Sequence, residues 1–136
     1  MASDVLVDSN VYIDLFNARK DVVAVLVDWA EERDRNLAIC GMIRLEVLRG
    51  VKSLKAFQRL SSLMDVMINI RTDNNLWTEA TDLAWSLDRK GKIIPGPDAI
   101  IAAAALRTGS MVMTSDKHFS LIEGLRVIAP PVEWFA

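Results

Sequence analysis

The chain has a single cysteine, Cys40, and a single histidine, His118, among its 136 residues. With one thiol no internal disulfide framework can form, and a reducing, cytoplasmic setting is expected. One Cys and one His cannot supply a structural zinc set within one chain. They also exclude a metal-free nuclease centre built on two histidines. No stretch approaches the roughly 20 consecutive apolar residues of a membrane-spanning helix. Nor does a basic segment followed by a long apolar run open the chain, so no membrane anchor or secretory leader is expected. An excess of one charge is missing too: the net charge is −2. Bulk electrostatics therefore neither points to nucleic acid nor excludes it. Linkers, repeats and low-complexity segments are absent, and the length suits one domain, residues 1–136, around one core.

About half of the residues are apolar, at 51%, and their spacing alternates. Short apolar runs at 5–7, 37–40, 66–70, 111–113 and 125–128 read as strands. Helical patterns fill 10–16, 21–33, 42–48, 53–64, 74–90 and 97–108. Leu76, Ala80, Leu83 and Leu87, three or four apart, mark one core-facing helix stripe. Gly91 stops that helix, with Arg89 and Lys90 in its last turn. The β/α alternation predicts an α/β fold: a central, mainly parallel sheet of about five strands flanked by helices. In such sheets ligands bind beyond the carboxyl ends of the strands.

Acids stand at those ends. Val5–Leu6–Val7 runs directly into Asp8. The segment MVMTSD repeats the layout, with Thr114 and Ser115 before Asp116. In IPGPDAIIAAAA, Asp98 falls in the first turn of a very apolar helix, with Pro97 suited to its first position. In CGMIRLEVLRG, Glu46 lies on the helix after the second strand, among Leu45, Val47 and Leu48. Each has a plain alternative. Asp8 and Asp116 can cap the segments that follow them, the helix dipole favours Asp98, and Glu46 can pair with Arg49, for a few tenths of a kcal/mol. Taken together, four carboxylates at the rim of one parallel sheet suit divalent metal, because Mg²⁺ and Mn²⁺ prefer oxygen ligands.

In order and spacing, Asp8, Glu46, Asp98 and Asp116 resemble the acids of the PIN-domain ribonucleases, and most of all the VapC-type toxins of toxin–antitoxin pairs. The likeness runs from VLVDSNVYIDLF to LRVIAPP, and PDAIIAAAALRTGSMVMTSDKHF is its most specific segment. Thr114 matches a small polar residue that the family carries two positions before its last Asp. The resemblance implies a PIN domain that cleaves RNA phosphodiesters with Mg²⁺ or Mn²⁺. It also implies a homodimer, or a higher toxin–antitoxin assembly, and an antitoxin whose tail blocks the acids. An arginine of that tail can take the place of the metal. One departure stands out: residues 41–44 hold none of the Ser or Thr hydroxyls common before the family's Glu, which leaves Ser9 and Asn10 to supply one.

On this reading Asp8, Glu46 and Asp98 carry metal, and Asp116 completes a second site or positions water. Thr114 and Asn10 are expected to hydrogen-bond the ligating carboxylates. Arg49 and Lys117 are the candidate phosphate contacts, although Lys and Arg commonly just solvate a surface. His118 is expected beside the site as a surface side chain rather than a base. Trp29, Trp77, Trp85 and Trp134 suit packing better than base stacking. Trp77 and Trp85 share one helix face, which becomes an interface candidate if it is not core. Two rival readings fit less well. A phosphoacceptor domain wants an acidic pair beside the first strand, yet Asp4 and Asp8 flank that strand. A non-catalytic PIN-fold module for RNA or protein binding should have lost acids, and all four are present.

Overall fold

Val5, Leu6 and Val7 are fully buried, and their neighbours along the chain are polar. Successive strand residues face opposite sides of a sheet, so burial of all three requires cover on both faces. The computed structural model describes residues 4–136. In it, strand β1 (Asp4–Val7) leads to helices α1 (Ser9–Asn17) and α2 (Val22–Glu32), then strand β2 (Asn36–Cys40). Helices α3 (Gly41–Leu48) and α4 (Leu54–Val66) precede strand β3 (Ile68–Ile70). Helices α5 (Asn74–Arg89) and α6 (Gly96–Thr108) precede strands β4 (Met111–Met113) and β5 (Val127–Ile128). Short 3-10 turns cover Lys117–Leu121 and Val132–Phe135.

The five strands pair in parallel in the order β3-β2-β1-β4-β5. This is the α/β architecture that the alternating pattern predicts. Helix α6 forms the buried side of the site. Its residues 99–105 are all buried, as expected of a helix that is apolar all round. It packs against α5, which turns Leu76, Ala80 and Leu87 inward. Asp73 caps α5 by accepting from Leu76 N–H at 2.9 Å. Gly91, at φ 74°, ends it while Lys92 N–H reaches back to Leu87 O at 2.9 Å. That left-handed residue is the Gly stop read from the sequence.

Differences lie at element ends. Val66 closes α4, and the strand expected from 66 begins only at Ile68. An apolar run cannot mark that break, because the helix and the strand both bury apolar residues; the turn to extended backbone at Met67 marks it. Only Val127 and Ile128 of the run at 125–128 form strand. Helix α6 begins at Gly96, so Pro97 holds its second position rather than its first.

The strand order decides where a site can form. From β1 the chain builds outward through β2 and β3, then returns to add β4 and β5 on the other side of β1. The reversal leaves a crevice beyond the carboxyl ends of β1 and β4. Val7 pairs with Met113, so the next residues on the two strands, Asp8 and Thr114, open that crevice together.

Candidate metal centre

Asp8 makes the last rung of the sheet: its N–H donates to Met113 O at 2.9 Å. The chain then turns into α1. The Asp8 side chain is buried, and both its oxygens are engaged. Oδ1 accepts from Ser9 N–H at 2.8 Å, and Oδ2 accepts from the Thr114 hydroxyl at 2.8 Å. Asp8 thus caps α1 and also faces the crevice; the two readings are compatible. The Thr114 hydroxyl accepts from Asn10 Nδ2 at 3.2 Å and from Asp116 N–H at 2.9 Å. One donor and two lone pairs are then fully used. Thr114 bonds the Asp8 carboxylate directly, whereas Asn10, expected to do the same, reaches it only through the Thr114 hydroxyl.

Glu46 arrives from the other side. Helix α3 starts at Gly41 directly after β2, which keeps residue 46 close to the strand ends. Ser9 Oγ donates to Glu46 Oε1 at 3.2 Å. Ser9 therefore supplies the hydroxyl that residues 41–44 lack. The alternative partner, Arg49, caps the end of α3 and forms no ion pair with Glu46 among the described residues. Arg44 is committed elsewhere, at 2.9 Å to Asp65 and 2.8 Å to Ser61.

Asp98, in the first turn of α6, and Asp116, after β4, meet across an imidazole. His118 Nδ1 lies 3.0 Å from Asp116 Oδ1 and 3.2 Å from Asp98 Oδ2. The ligand atoms of Asp98, Asp116 and His118 fall within 4.8 Å of one another. Sequence reasoning placed His118 beside the site but missed this bridge. The available signal was the spacing in Asp116-Lys117-His118-Phe119. An Asp that caps a turn accepts from the backbone two residues on, as Asp116 does from His118 N–H at 2.9 Å. The fully buried Phe119 anchors the turn, and the imidazole is carried back over the carboxylate.

The acids act on one another. Burial pushes the Asp8 carboxyl above its ordinary value; the bonds from Thr114 and Ser9 oppose this, and the charges of Glu46 and Asp116 add to it. Burial likewise pushes Asp98 up to about 6, with the charges of Asp116 and Asp8 adding and His118 opposing. Among the described residues no Lys or Arg pairs with any of the four. Arg49 and Lys117 are exposed, and among the described residues neither forms an ion pair with the acids. The other candidate carboxylate, Asp4, lies at the far end of β1 and bonds Asn36, which removes the paired-acid arrangement of a phosphoacceptor.

The donor set suits a divalent cation: Asp98 and Asp116 bring hard oxygens together beside His118, the charges of Asp8 and Glu46 add to the site, and among the described residues no Lys or Arg offsets them. Asn10 Oδ1, fully buried, has no hydrogen-bond partner among the described residues. Buried acceptors are seldom left so. A hydrated cation in the crevice would bring the missing donor.

Comparison with known proteins places the chain in a family and among solved folds. A family model described as "PIN domain" matches residues 5–125. Ribonuclease VapC21 of Mycobacterium tuberculosis is 32% identical over 101 residues, 72% of each chain. The toxin–antitoxin complex from Klebsiella pneumoniae superposes with a TM-score of 0.66 at 27% identity, over 93% of this chain and 98% of that one. VapBC2 from Rickettsia felis, bound to a promoter DNA fragment, matches in fold with a TM-score of 0.75 at 20% identity, over 94% and 99%.

Proposed function

Since the chain belongs to the PIN domain family, we propose that it is an endoribonuclease of the VapC toxin type, hydrolysing RNA phosphodiester bonds with Mg²⁺ or Mn²⁺. The observation that carries the reading is the mutual influence of the Asp8, Glu46, Asp98 and Asp116 charges at the reversal of strand order, with no Lys or Arg paired to them among the described residues.

When bound, the cation makes water easier to deprotonate and offsets negative charge on the phosphate oxygens. The chain's own residues hold and orient. Asp8, Glu46, Asp98 and Asp116 are the ligands. Thr114 fixes Asp8, with Asn10 behind it, and Ser9 fixes Glu46. A groove of about 460 Å³ leads away from Glu46 past Ile13, Phe16 and Val51, with Lys52 on its rim. It gives a strand leaving the acids an apolar floor and a cation for its phosphates. Arg49 and Lys117, both exposed, are the further candidates for phosphate contact.

The partners follow the same reading: an antitoxin whose tail enters the acids, and a second copy of this chain. The outer face of α5 exposes Trp77 by 50% and Trp85 by 61%. Leu45 and Met42 share a hollow with Trp77, so the apolar face runs from α5 to α3 and suits a homodimer. Purified protein should cleave RNA only with Mg²⁺ or Mn²⁺, and chelation should stop it. Metal-independent cleavage, or none with either ion, would overturn the reading. Co-purification with the product of an adjacent small gene tests the antitoxin; a monomer at all concentrations in light scattering would remove the dimer.

A further inference from the structure

The imidazole of His118 is the one nitrogen donor among the grouped ligand atoms of the site. Its position is built. The backbone N–H of the same residue is tied to Asp116 Oδ1, and the next residue, Phe119, is locked in the core. The backbone that carries the ring and the Asp116 carboxylate therefore forms one fixed turn facing Asp98 in the first turn of α6. The separations are informative. In an octahedral shell with bonds of about 2.1 Å, neighbouring ligands lie about 3.0 Å apart. Nδ1 stands 3.0 Å from one carboxylate oxygen and 3.2 Å from the other. Nδ1 thus stands from each carboxylate oxygen at the spacing of an adjacent ligand around one ion, and all three atoms fall within 4.8 Å of one another.

We propose that His118 Nδ1 is a ligand of the divalent cation, and that this nitrogen makes the site favour Mn²⁺ over Mg²⁺. The inference rests on the metal-dependent reading above and concerns which ion the site selects. Carboxylate, carbonyl and water suit Mg²⁺ and Mn²⁺ alike, whereas imidazole suits transition metals. A shell of oxygens alone would discriminate little. One imidazole shifts the balance toward Mn²⁺ without excluding Mg²⁺, because the carboxylates remain. Geometry adds to this, since Mg²⁺ gives up its water reluctantly and usually keeps several.

Two measurements, neither involving RNA, decide the matter. Pulsed EPR of the Mn²⁺-loaded wild type should show hyperfine coupling to a single ¹⁴N. In titration calorimetry, His118→Gln should weaken Mn²⁺ binding by about tenfold, the scale seen for losses at metal sites, and Mg²⁺ binding by less than about threefold. Circular dichroism establishes that the variant is folded; should it not be, the wild-type EPR spectrum still decides. Absence of nitrogen coupling, or equal losses for the two ions, would overturn the proposal while leaving metal-dependent cleavage intact. Failure of the wild type to bind either ion would overturn both readings. RNA cleavage by a protein that binds Mn²⁺ without nitrogen coupling would overturn this one alone.

Discussion

The two halves of the acidic site hold their charges by different means. Asp8 and Glu46 are fixed by neutral donors: the Thr114 hydroxyl, the Ser9 amide and the Ser9 hydroxyl. Asp98 and Asp116 are bridged by an imidazole. The first half is deep, and Asp8 keeps its hydrogen bonds in full. The second half is shallower, and its partner is a side chain 44% exposed that can turn without disturbing the core. Neutral donors fix where a carboxylate points but leave its charge in place. A movable imidazole can exchange hydrogen bonds for a metal bond. The deep half thus sets geometry, and the shallow half can respond to what binds.

The largest expected effect comes from breaking the deep half. Asp8→Asn should reduce RNA cleavage to background, because the charge is lost where the hydrogen bonds cannot replace it. As a helix cap, Asn serves nearly as well, so the fold should survive. Metal-free Asp8→Asn should be at least as stable as the wild type, since it removes a buried charge that faces Glu46, Asp98 and Asp116. Mn²⁺ should reverse that order: an ion bound only by the folded state stabilises it by about 2.7 kcal/mol at a hundred times its Kd. Thermal melts with and without Mn²⁺ check this. Equal activity and equal melting shifts in the two proteins would reduce Asp8 to a cap.

Asp98→Asn should lower cleavage by at least about tenfold while leaving the Thr114–Asp8 arrangement intact. It should also change the response to pH. The unfolded Asp98 carboxyl ionises near 3.8 and the folded one is pushed up to about 6. Between those values the folded state keeps a proton that the unfolded chain has lost. The stability contributed by this group is therefore full below about pH 4 and is lost as pH rises through about 6. The metal-free wild type should lose stability over that window, with Asp8 acting in the same direction. Asp98→Asn should flatten the fall, as followed by urea midpoints from pH 4 to 7. An unchanged slope would mean that Asp98 is not a source of the strain.

Thr114→Val sharpens the comparison from the side of the donors. One hydroxyl serves Asp8, Asn10 and the Asp116 amide. Its loss leaves buried polar atoms unpaired and should cost about 2–3 kcal/mol in a denaturant melt. A cost under about 0.5 kcal/mol would show that water replaces it. Ser9→Ala should be the mildest change. It removes one long, half-buried bond to Glu46, worth about 1 kcal/mol, and should slow cleavage severalfold with little change in stability. Wild-type rates would show that Glu46 needs no hydroxyl to orient it.

Much of this was legible in the chain because its causes are local. Unbroken apolar strands announced a sheet covered on both faces. The spacing of Leu76, Ala80 and Leu87 announced α5, and Gly91 its end. The four acids were recognisable by standing just after strands or in a first helical turn. The exposed pair Trp77 and Trp85 needed only helical periodicity to be put on one face, though not to be put outside the core.

What the chain alone could not settle depends on residues far apart in sequence. The Thr114–Asp8 bond joins residues separated by 106 positions, Ser9–Glu46 by 37 and His118–Asp98 by 20. Composition and periodicity determined a parallel α/β sheet and the kind of chemistry its rim can support, because hydrophobic pattern and residue type act within a few residues. Tertiary structure alone decided that β1 and β4 are neighbours, that Asp8 is buried rather than merely capping, and that the only histidine bridges two acids. Those outcomes follow from strand order, and strand order is set by how all the helices and strands bury their apolar faces together.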